Sequence, residues 1–388
     1  MDAKIKYYDR FNLHELDWEQ YQDGTYYQHL FALLTGKGSL HFIKNVNNGL
    51  GMLAIENRLY PIVVGNREKI LHRSYVASLY SQYVSYGKRE IELEFKQPIL
   101  RFLGKGLLSA IAAGCSFSNL DEVVFVNNWL LSTNLYPKEI PFKHLQILQS
   151  FLKEKFPAKA ICFRSLNPML NQILIEDLQN LGFEKVFSRK VFLASTEGPR
   201  DYRQKRNFGH DLKLWKKSRD QLKWTRLRHP SEDELSRIRE LYQELYLGKY
   251  AQLNPDFSLE FFRHLISNAV LTVYALKDGE EIIAVLGYFL FAGVQTASVI
   301  GYDSSFPQKK GLYRLISLKI VELAEENKAV IHASSGVSTF KASRGLEAYW
   351  EYNLLDWSGV NKREQLSWKA LKVLANDITI PLMKKMDI

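Results

Sequence analysis

The spacing of apolar residues predicts an alternation of helices and strands in the first half of the chain. Residues 142–156 (FKHLQILQSFLKEKF) and 168–181 (PMLNQILIEDLQNL) repeat apolar side chains at helical intervals. The second of these helices opens with a proline, which suits a first helical turn, and Gly182 ends it. Short apolar runs predict strands at 121–128, 159–166 and 184–195, and one or two more at 49–66.

The second half shows its own order of elements. Ser231 and Glu234 have the spacing of a capping box at the start of a helix over 231–248, and a shorter helix follows at 258–268. Residues 270–303 predict a three-stranded meander with an Asp-Gly turn. A helix and two further strands, at 328–336 and 348–359, complete the pattern.

This order predicts an α/β protein with mixed sheets. Because the end of the first half repeats the plan of the second, we expect two similar domains, each a mixed twisted sheet flanked by helices. The Ser-, Gly- and Pro-containing segment 195–200 predicts the boundary between them, giving domains at 1–195 and 196–388. A length of 388 residues agrees with two domains.

Composition narrows the setting in which the protein works. The two cysteines, Cys115 and Cys162, are too few for a disulfide framework or a zinc site and suit a reducing compartment. The start of the chain lacks the apolar core of a signal peptide. The most apolar stretch, 107–117, is far shorter than the ~20 residues of a membrane helix, which leaves a buried helix or a membrane-surface contact. We therefore expect a cytoplasmic protein without a transmembrane segment or a metal.

Positive charge is concentrated in one segment. The chain carries a net charge of +10, and residues 200–228 hold eleven Lys or Arg against three Asp, a net charge of +8. Phe208, Leu212 and Trp215 fall at i, i+4 and i+7, which predicts an amphipathic helix lying on the second domain. The charge could serve a phosphate-bearing cofactor, RNA or an anionic membrane surface.

The turn at 307–314 (PQKKGLYR) has two interpretations. A helix N-terminus attracts anions, so Lys309, Lys310 and Gly311 could hold a phosphate there. Alternatively, Gly311 only starts a helix beside two solvated lysines.

The meander, the turn PQKKGLYRLI and the helix after it resemble the GNAT acyltransferase superfamily, and more narrowly its two-domain bacterial Fem-like and cellulose-biosynthesis-type members. The resemblance covers about 120–360 and is strongest over 270–345. It implies an N-acyltransferase with acyl-CoA as donor. The family's phosphate loop reads Gln/Arg-x-x-Gly-x-Gly/Ala; Gln308 and Gly311 match it, whereas Tyr313 stands where Gly or Ala is expected. The implied donor contacts are Gln308, Lys309, Lys310, Gly311, Leu312 and Tyr313.

Acyl transfer to an amine needs a proton acceptor and a polarised carbonyl. Asp303, His332 and Tyr302 are the candidate catalytic residues, although a turn cap, a core histidine and a packed ring are their structural alternatives. For the acceptor we expect the polar loop after strand 121–128 and the Ser/Tyr-rich run 73–86, because ligand sites of α/β folds lie at such strand ends. The family resemblance adds Lys341, which would meet an acceptor carboxylate or phosphate. The substrate-binding candidates are Asn127, Asn128, Trp129, Ser132, Asn134, Tyr75, Ser78, Tyr80 and Lys341.

Three functions remain open at this point. The first is transfer from acyl-CoA to a small-molecule amine or an amino acid. The second is Fem-type transfer from aminoacyl-tRNA, with segment 200–228 contacting RNA. The third is ligand binding by a GNAT fold that has lost catalysis, which Tyr313 favours.

Overall fold

The computed structural model describes residues 4–66, 72–87, 106, 109, 120–198, 201–250, 252–307 and 310–385. Gln308, Lys309 and Cys115 lie outside the described residues, as does the apolar stretch 107–117 apart from Ser109.

Among the described residues, twelve strands form one sheet. They are β1 Ile5–Tyr8, β2 Gly49–Ile55, β3 Arg58–Val64, β4 Val123–Val126, β5 Ala160–Leu166, β6 Glu184–Ala194, β7 Leu222–Leu227, β8 Thr272–Asp278, β9 Glu281–Phe291, β10 Val294–Tyr302, β11 Val330–His332 and β12 Glu347–Asp356. Their order in the sheet is β1-β2-β3-β4-β5-β12-β6-β11-β10-β9-β8-β7. Neighbours are antiparallel except for β4–β5 and β10–β11, which are parallel.

The helices cover this sheet and connect its strands. They are α1 Gly24–Lys37, α2 Ser39–Phe42, α3 Phe142–Lys155, α4 Pro168–Asn180, α5 Arg206–Ser218, α6 Glu232–Gln243, α7 Leu259–Ser267, α8 Leu312–Glu326, α9 Ser338–Ala342, α10 Lys362–Val373 and α11 Ile380–Lys385. Short 3₁₀ turns occur at Leu13–Glu15, Trp18–Gln20 and Asp201–Gln204, and π-helical turns at Ser81–Tyr86, Glu244–Tyr250 and Leu374–Thr379.

The two halves exchange strands at the centre of the sheet. Strand β12, from the second half, lies between β5 and β6 of the first half. Strand β6, from the first half, lies between β12 and β11 of the second. Each half therefore contributes five consecutive strands on its own side of the sheet and one strand that lies among the strands of the other half. This order relates the two halves by an approximate two-fold arrangement.

The predicted mixed α/β fold is confirmed, and the strands of the meander, the capping box of α6 and helices α3, α4 and α8 lie close to where the sequence predicted them. Elements β1, β7, α9, α10 and α11 were not predicted from the sequence. A separate sheet was expected in each half, whereas the strands of both halves join into one. The boundary at 195/196 stays a prediction.

Close packing of α6 against β10 requires a glycine at position 301, near the end of that strand. A Cβ built on Gly301 would lie 2.4 Å from the backbone carbon and 2.5 Å from the carbonyl oxygen of Leu241, which is buried on α6. A side chain at this position would therefore push the helix away from the sheet, because backbone atoms cannot move aside as a flexible side chain can.

We expect Gly301→Ala to lower the free energy of unfolding by about 1–3 kcal/mol, the usual range for overpacking. Gly209→Ala is the matched control, because a Cβ there meets no atom within 4 Å. It lies within α5 and should stabilise the protein by up to about 1 kcal/mol through helix propensity. Urea denaturation of both variants is the measurement, and equal effects would contradict the close packing of α6 on β10 as the cause.

Candidate active site

The parallel strands β10 and β11 separate after a short ladder. Val294–Thr296 pair with Val330–His332, and β10 then continues through residues 297–302 without a strand partner on that side among the described residues. The pairing of β10 with β9 also shifts between Thr296 and Val299. Bulges of this kind are common next to active sites. The separation leaves an edge of backbone groups facing an opening.

A cavity of about 100 Å³ lies at this opening and draws its walls from both halves. Four of the lining residues were predicted from the sequence, namely Tyr75, Ser132, Tyr313 and Lys341. The others are Tyr86, Arg189, Leu245, Tyr246, Asn254, Ala297, Ile300 and residues 333–337. The volume suits the reacting ends of two small molecules and is too small for a whole cofactor.

The loop that closes one side of the cavity is strained. Ser334 and Val337 have φ angles of 57° and 46°, in the left-handed region, and Gly336 between them has φ 79°. A β-branched residue such as valine rarely adopts this conformation, and such outliers cluster at functional sites. The loop leads directly into α9, which carries Lys341.

Lys341 is a buried ammonium group in the cavity wall. The residue is 7% exposed, and Nζ donates hydrogen bonds to the carbonyl oxygens of Ser335 at 2.6 Å and Ser334 at 3.3 Å. Burial lowers the pKa of Lys341 to about 7, and the positive charge of Arg189 adds to this effect. Charged and neutral forms therefore coexist near neutral pH, as a proton-transfer group requires.

An ion pair lies at the centre of the strand exchange behind this lysine. Arg189 of β6 faces Glu351 of β12 in register, and Nε lies 2.7 Å from Oε1 of a carboxylate that is completely buried. Arg189 also donates to the carbonyl oxygen of Ser132 at 2.6 Å. The pair therefore joins both inserted strands to the cavity wall.

His332 lies beside this pair in the core. Its Nδ1 accepts a hydrogen bond from the backbone N–H of Ser334 at 3.2 Å, which places the proton of the neutral ring on Nε2. Nε2 is 3.8 Å from Oε2 of Glu351, too far for a hydrogen bond. Burial lowers the pKa of His332 to about 4, so the ring is neutral at pH 7.

Asp303 and Tyr302 lie outside the cavity lining. Asp303 accepts from Arg237 Nη2 at 2.7 Å and from the hydroxyl of Ser305 at 2.6 Å. The Ser305 hydroxyl and the Arg237 guanidinium hold the pKa of Asp303 below its usual range, so this carboxylate is a weak proton acceptor. The Tyr302 ring packs 6.1 Å from Tyr313. The catalytic assignments of both residues stay predictions.

The polar loop after β4 uses most of its side chains to hold its own backbone. Asn127 donates to the carbonyl of Leu135 at 2.7 Å, and Asn134 donates to the carbonyl of Asn127 at 2.6 Å. Asn128 donates to the carbonyl of Val76 at 2.8 Å. The loop positions Ser132 at the cavity, while Asn127, Asn128, Trp129 and Asn134 do not line it.

Of the residues predicted in the Ser/Tyr-rich run 73–86, one lines the cavity and two do not. Tyr75 reaches the cavity and donates to Oδ1 of Asn254 at 3.2 Å. Ser78 is buried elsewhere, with its hydroxyl 2.9 Å from Oδ1 of Asp121, and the backbone N–H of Tyr80 donates to the same carboxylate at 3.2 Å. Ser78 and Tyr80 are thus placed outside the cavity.

The predicted donor loop begins α8 in a way that explains its glycine. Gly311 precedes the helix with φ 66°, and a Cβ there would lie 2.8 Å from Cδ2 of Leu214 on α5. Leu312 is buried, and Tyr313 faces the cavity. The positive φ and the contact with Leu214 therefore explain the glycine without a bound phosphate. Contact between this loop and the acyl donor stays a prediction.

The basic helix α5 is tied to the same region by its single acidic residue. Asp211 is 2% exposed and accepts hydrogen bonds of 2.6 Å from Nε of Arg314 and Nε of Arg344. The expected apolar stripe was partly wrong, because Leu212 is 38% exposed and Asp211 takes the buried position. With its carboxylate turned inward, the outer face of α5 carries only positive charges, on Arg206, Lys213, Lys216 and Lys217.

Arg189 and Glu351 were not predicted as site residues from the sequence. Each is a charged residue inside an apolar strand run, VFSRKVFL and YWEYNLL. A charge in such a position signals a buried partner, but the sequence could not show that the two strands are neighbours.

Comparison with known proteins identifies a domain within this arrangement. Residues 212–349 match the family model described as an acetyltransferase (GNAT) domain. This range contains β8–β11, α8 and the cavity-lining loop, and the predicted resemblance to the GNAT superfamily is confirmed over these residues. No curated protein sequence matches the chain.

Several solved structures are similar at low identity. L-PGS from Bacillus licheniformis is 10% identical with a TM-score of 0.46, covering 66% of this chain and 83% of its own. FemX is 10% identical with a TM-score of 0.44, covering 60% and 79%. A GCN5-related N-acetyltransferase from Kribbella flavida is 13% identical with a TM-score of 0.31, covering 60% and 79%. Scores of this size do not assign a substrate.

Within the part of the chain that is described, no helix combines the length and apolar character needed to cross a bilayer.

We expect Arg189→Met to lower the free energy of unfolding by about 3–5 kcal/mol, because it leaves the buried Glu351 carboxylate without its ion partner. The double variant Arg189→Met/Glu351→Met should recover much of this loss, since both charges are then absent. Chemical denaturation measures all three free energies.

Arg263→Met is the matched control, because Arg263 and its partner Glu232 are 45% and 71% exposed. An exposed pair of this kind should contribute about 1 kcal/mol or less. If Arg189→Met and Arg263→Met lower the free energy of unfolding equally, the exchange of strands β6 and β12 does not depend on the ion pair with Glu351.

Proposed function

We propose that this protein is an N-acyltransferase that moves an acyl group from an acyl-thioester, acyl-CoA, to an amine acceptor in the cavity between β10 and β11. The proposal depends on one observation above all. A buried lysine whose pKa is near 7 lines the cavity at the point where the two parallel strands separate. The GNAT domain match supports the class of reaction.

Lys341 is the proton carrier in this proposal. The acceptor nitrogen attacks the thioester carbonyl carbon, forming the C–N bond, and the C–S bond then breaks to release a thiolate. Neutral Lys341 takes the proton that the attacking nitrogen loses, and the resulting ammonium delivers it to the leaving sulfur. A thiol has a pKa of about 8.5, so a carrier near 7 can complete this transfer.

Backbone groups of β10 would polarise the carbonyl. Residues 297–302 carry N–H groups along the edge that β11 does not pair, and Ala297 and Ile300 line the cavity. Fixed N–H donors aimed at a developing oxyanion are an effective form of catalysis because they need no reorganisation. Tyr75 and Ser132 line the same cavity and would orient the acceptor amine.

The donor's phosphates would lie at the N-terminus of α8. Lys310 is the described cation of that loop, and Gln308 and Lys309 complete the proposed contacts. A helix N-terminus favours an anion through its dipole. Gly311→Glu is a poor test of this contact, because the positive φ of Gly311 and its closeness to Leu214 would disturb the fold. Lys310→Glu changes the charge without these effects.

We expect Lys341→Met to lower acyl transfer at least tenfold, which is about 1.4 kcal/mol in the barrier. In the wild type the rate should rise with pH and level off above about 7, because only the neutral amine accepts a proton. Release of free thiol from a panel of acyl-CoA donors and amines measures the rate. A rate that falls as the pH rises through 7 would exclude Lys341 as the base.

Stability separates loss of catalysis from loss of folding in the same variant. The pKa of Lys341 is lower in the folded protein than in the unfolded chain, so wild-type stability increases with pH between about 7 and 10.5. Burying this charge costs the folded wild type about 4 kcal/mol at pH 7. Lys341→Met avoids this cost, which offsets the hydrogen bonds that the carbonyl groups of Ser334 and Ser335 lose in the variant. Lys341→Met should therefore stay folded. Lys369→Met, an exposed lysine of α10, should leave the rate unchanged.

The same assay tests the other predicted catalytic residues through Asp303→Asn, His332→Gln and Tyr302→Phe. A tenfold loss in one of these variants, with Lys341→Met active, would move the proton-transfer role to that residue. If the wild type releases no thiol with any donor and amine, the ligand-binding alternative replaces the enzyme.

The outer face of α5 favours a second candidate, Fem-type transfer from aminoacyl-tRNA. We expect tRNA to bind there with a strong salt dependence if this function holds. Replacing Arg206, Lys213, Lys216 and Lys217 by Ser should reduce the slope of log K against log salt by roughly 0.7 for each phosphate that the variant no longer neutralises. Binding at about 50 and 200 mM salt is the measurement.

Arg203 is left unchanged in this test because it already pairs with Glu325. If the wild type and the four-residue variant bind tRNA equally weakly, α5 is a solvated helix and the acyl-CoA proposal stands alone.

A further inference from the structure

A second cavity lies at the carboxyl ends of the other parallel pair, β4 and β5. Its volume is about 280 Å³, and its walls come from the loop after β4, the start of α4, the segment after β6, the β9–β10 turn and the connection from α8 to β11. In the approximate two-fold arrangement of the sheet, β4–β5 correspond to β10–β11, and α4 corresponds to α9. This cavity thus occupies in the first half a place related to that of the candidate active site in the second.

Asn167 supplies a buried donor in the cavity wall. The residue is 1% exposed, and its Oδ1 accepts the backbone N–H of Leu170, which caps α4 and fixes the orientation of the amide. Nδ2 is buried and donates to no described residue. A buried amide N–H₂ without an acceptor is costly, so its position in a cavity wall indicates a ligand that accepts hydrogen bonds.

The surrounding charges favour an anion. Lys138 and Lys328 line the same cavity, and both are exposed. Glu197 is the acidic side chain in the wall and is exposed. Two ammonium groups and an amide donor together outweigh one solvated carboxylate.

We propose that this cavity is a binding site for a small anion, a carboxylate or a phosphate group, with Asn167 Nδ2 as the buried donor and Lys138 and Lys328 as the counter-charges. The site is separate from the cavity that holds Lys341, and the proposal does not depend on acyl transfer. It assigns a ligand-binding role to residues of the first half together with Lys328 of the second.

Asn167→Asp provides a nearly isosteric test. Aspartate caps a helix as well as asparagine does, so α4 keeps its N-cap, while the two N–H donors are replaced by a negative charge. Inorganic phosphate and acetate are the two probes, each titrated at constant ionic strength and followed by ligand-detected NMR. We expect the wild type to bind at least one probe and Asn167→Asp to bind it at least tenfold more weakly.

Asn361→Asp is the matched control, because Asn361 caps α10 with the same geometry, accepting the backbone N–H of Glu364 at 3.0 Å. It should bind the probe like the wild type. Lys138→Gln is a second variant, which leaves the cap unchanged and should weaken binding several-fold even if Asn167→Asp does not fold.

The two probes distinguish the source of the anion. Binding of phosphate alone assigns a phosphate ester, binding of acetate alone assigns a carboxylate, and binding of both assigns a site selective for charge. The proposal is overturned if neither probe binds the wild type, or if folded Asn167→Asp and Lys138→Gln bind as the wild type does.

Discussion

The exchange of β6 and β12 between the two halves is the constraint on which the rest of this structure depends. Each strand completes the sheet of the opposite half, and Arg189 and Glu351 meet where the two strands run side by side. A buried carboxylate needs its partner, because removing one member of such a pair is far more costly than replacing both. The pair therefore favours this register of the two strands over a slipped one.

The cavity follows from this exchange. Its walls include Tyr75, Ser132 and Arg189 from the first half and Tyr313, residues 333–337 and Lys341 from the second. Arg189 holds Ser132 through its carbonyl oxygen, and its charge adds to the effect of burial in lowering the pKa of Lys341. One guanidinium thus pairs with Glu351 in the sheet, holds part of the cavity wall and adjusts the protonation of the proposed proton carrier. The strain at Ser334 and Val337 and the burial of Lys341 are local costs that the surrounding sheet supports.

Local patterns in the sequence predicted those structural features that depend on residues close together in the chain. The capping box at Ser231, the Asp278-Gly279 turn and the helical spacing of α3 each depend on contacts within a few positions of the chain, and all three are present. The strand order depends on pairings between residues up to 195 positions apart, such as Ile161 with Asp356, which no local period encodes. The polar loop after β4 shows the same limit. Its asparagines indicated a ligand site, which stays a prediction, and the sequence could not show that most of their hydrogen bonds go to the backbone of the loop and its neighbours. The buried position of Asp211 was not predicted, because the apolar spacing of α5 placed other residues on the buried face. Its two arginine partners lie far away in the sequence.

The approximate two-fold arrangement of the sheet is used differently by the two halves. Strand β4 ends at Val126, one residue beyond its ladder with β5, and the chain turns at once into the buried loop that holds Trp129. Strand β10 instead runs six residues past its ladder with β11 and leaves its edge open. After β5 comes a 13-residue helix with a fixed cap, whereas after β11 comes a strained loop and a helix of five residues that carries Lys341. The first half therefore has a closed sheet edge with a pocket beside the capped start of α4, which suits binding. The second half has an open edge and a buried lysine whose pKa is lowered toward neutral pH, which suits chemistry. The exchanged strands join the two arrangements in one sheet.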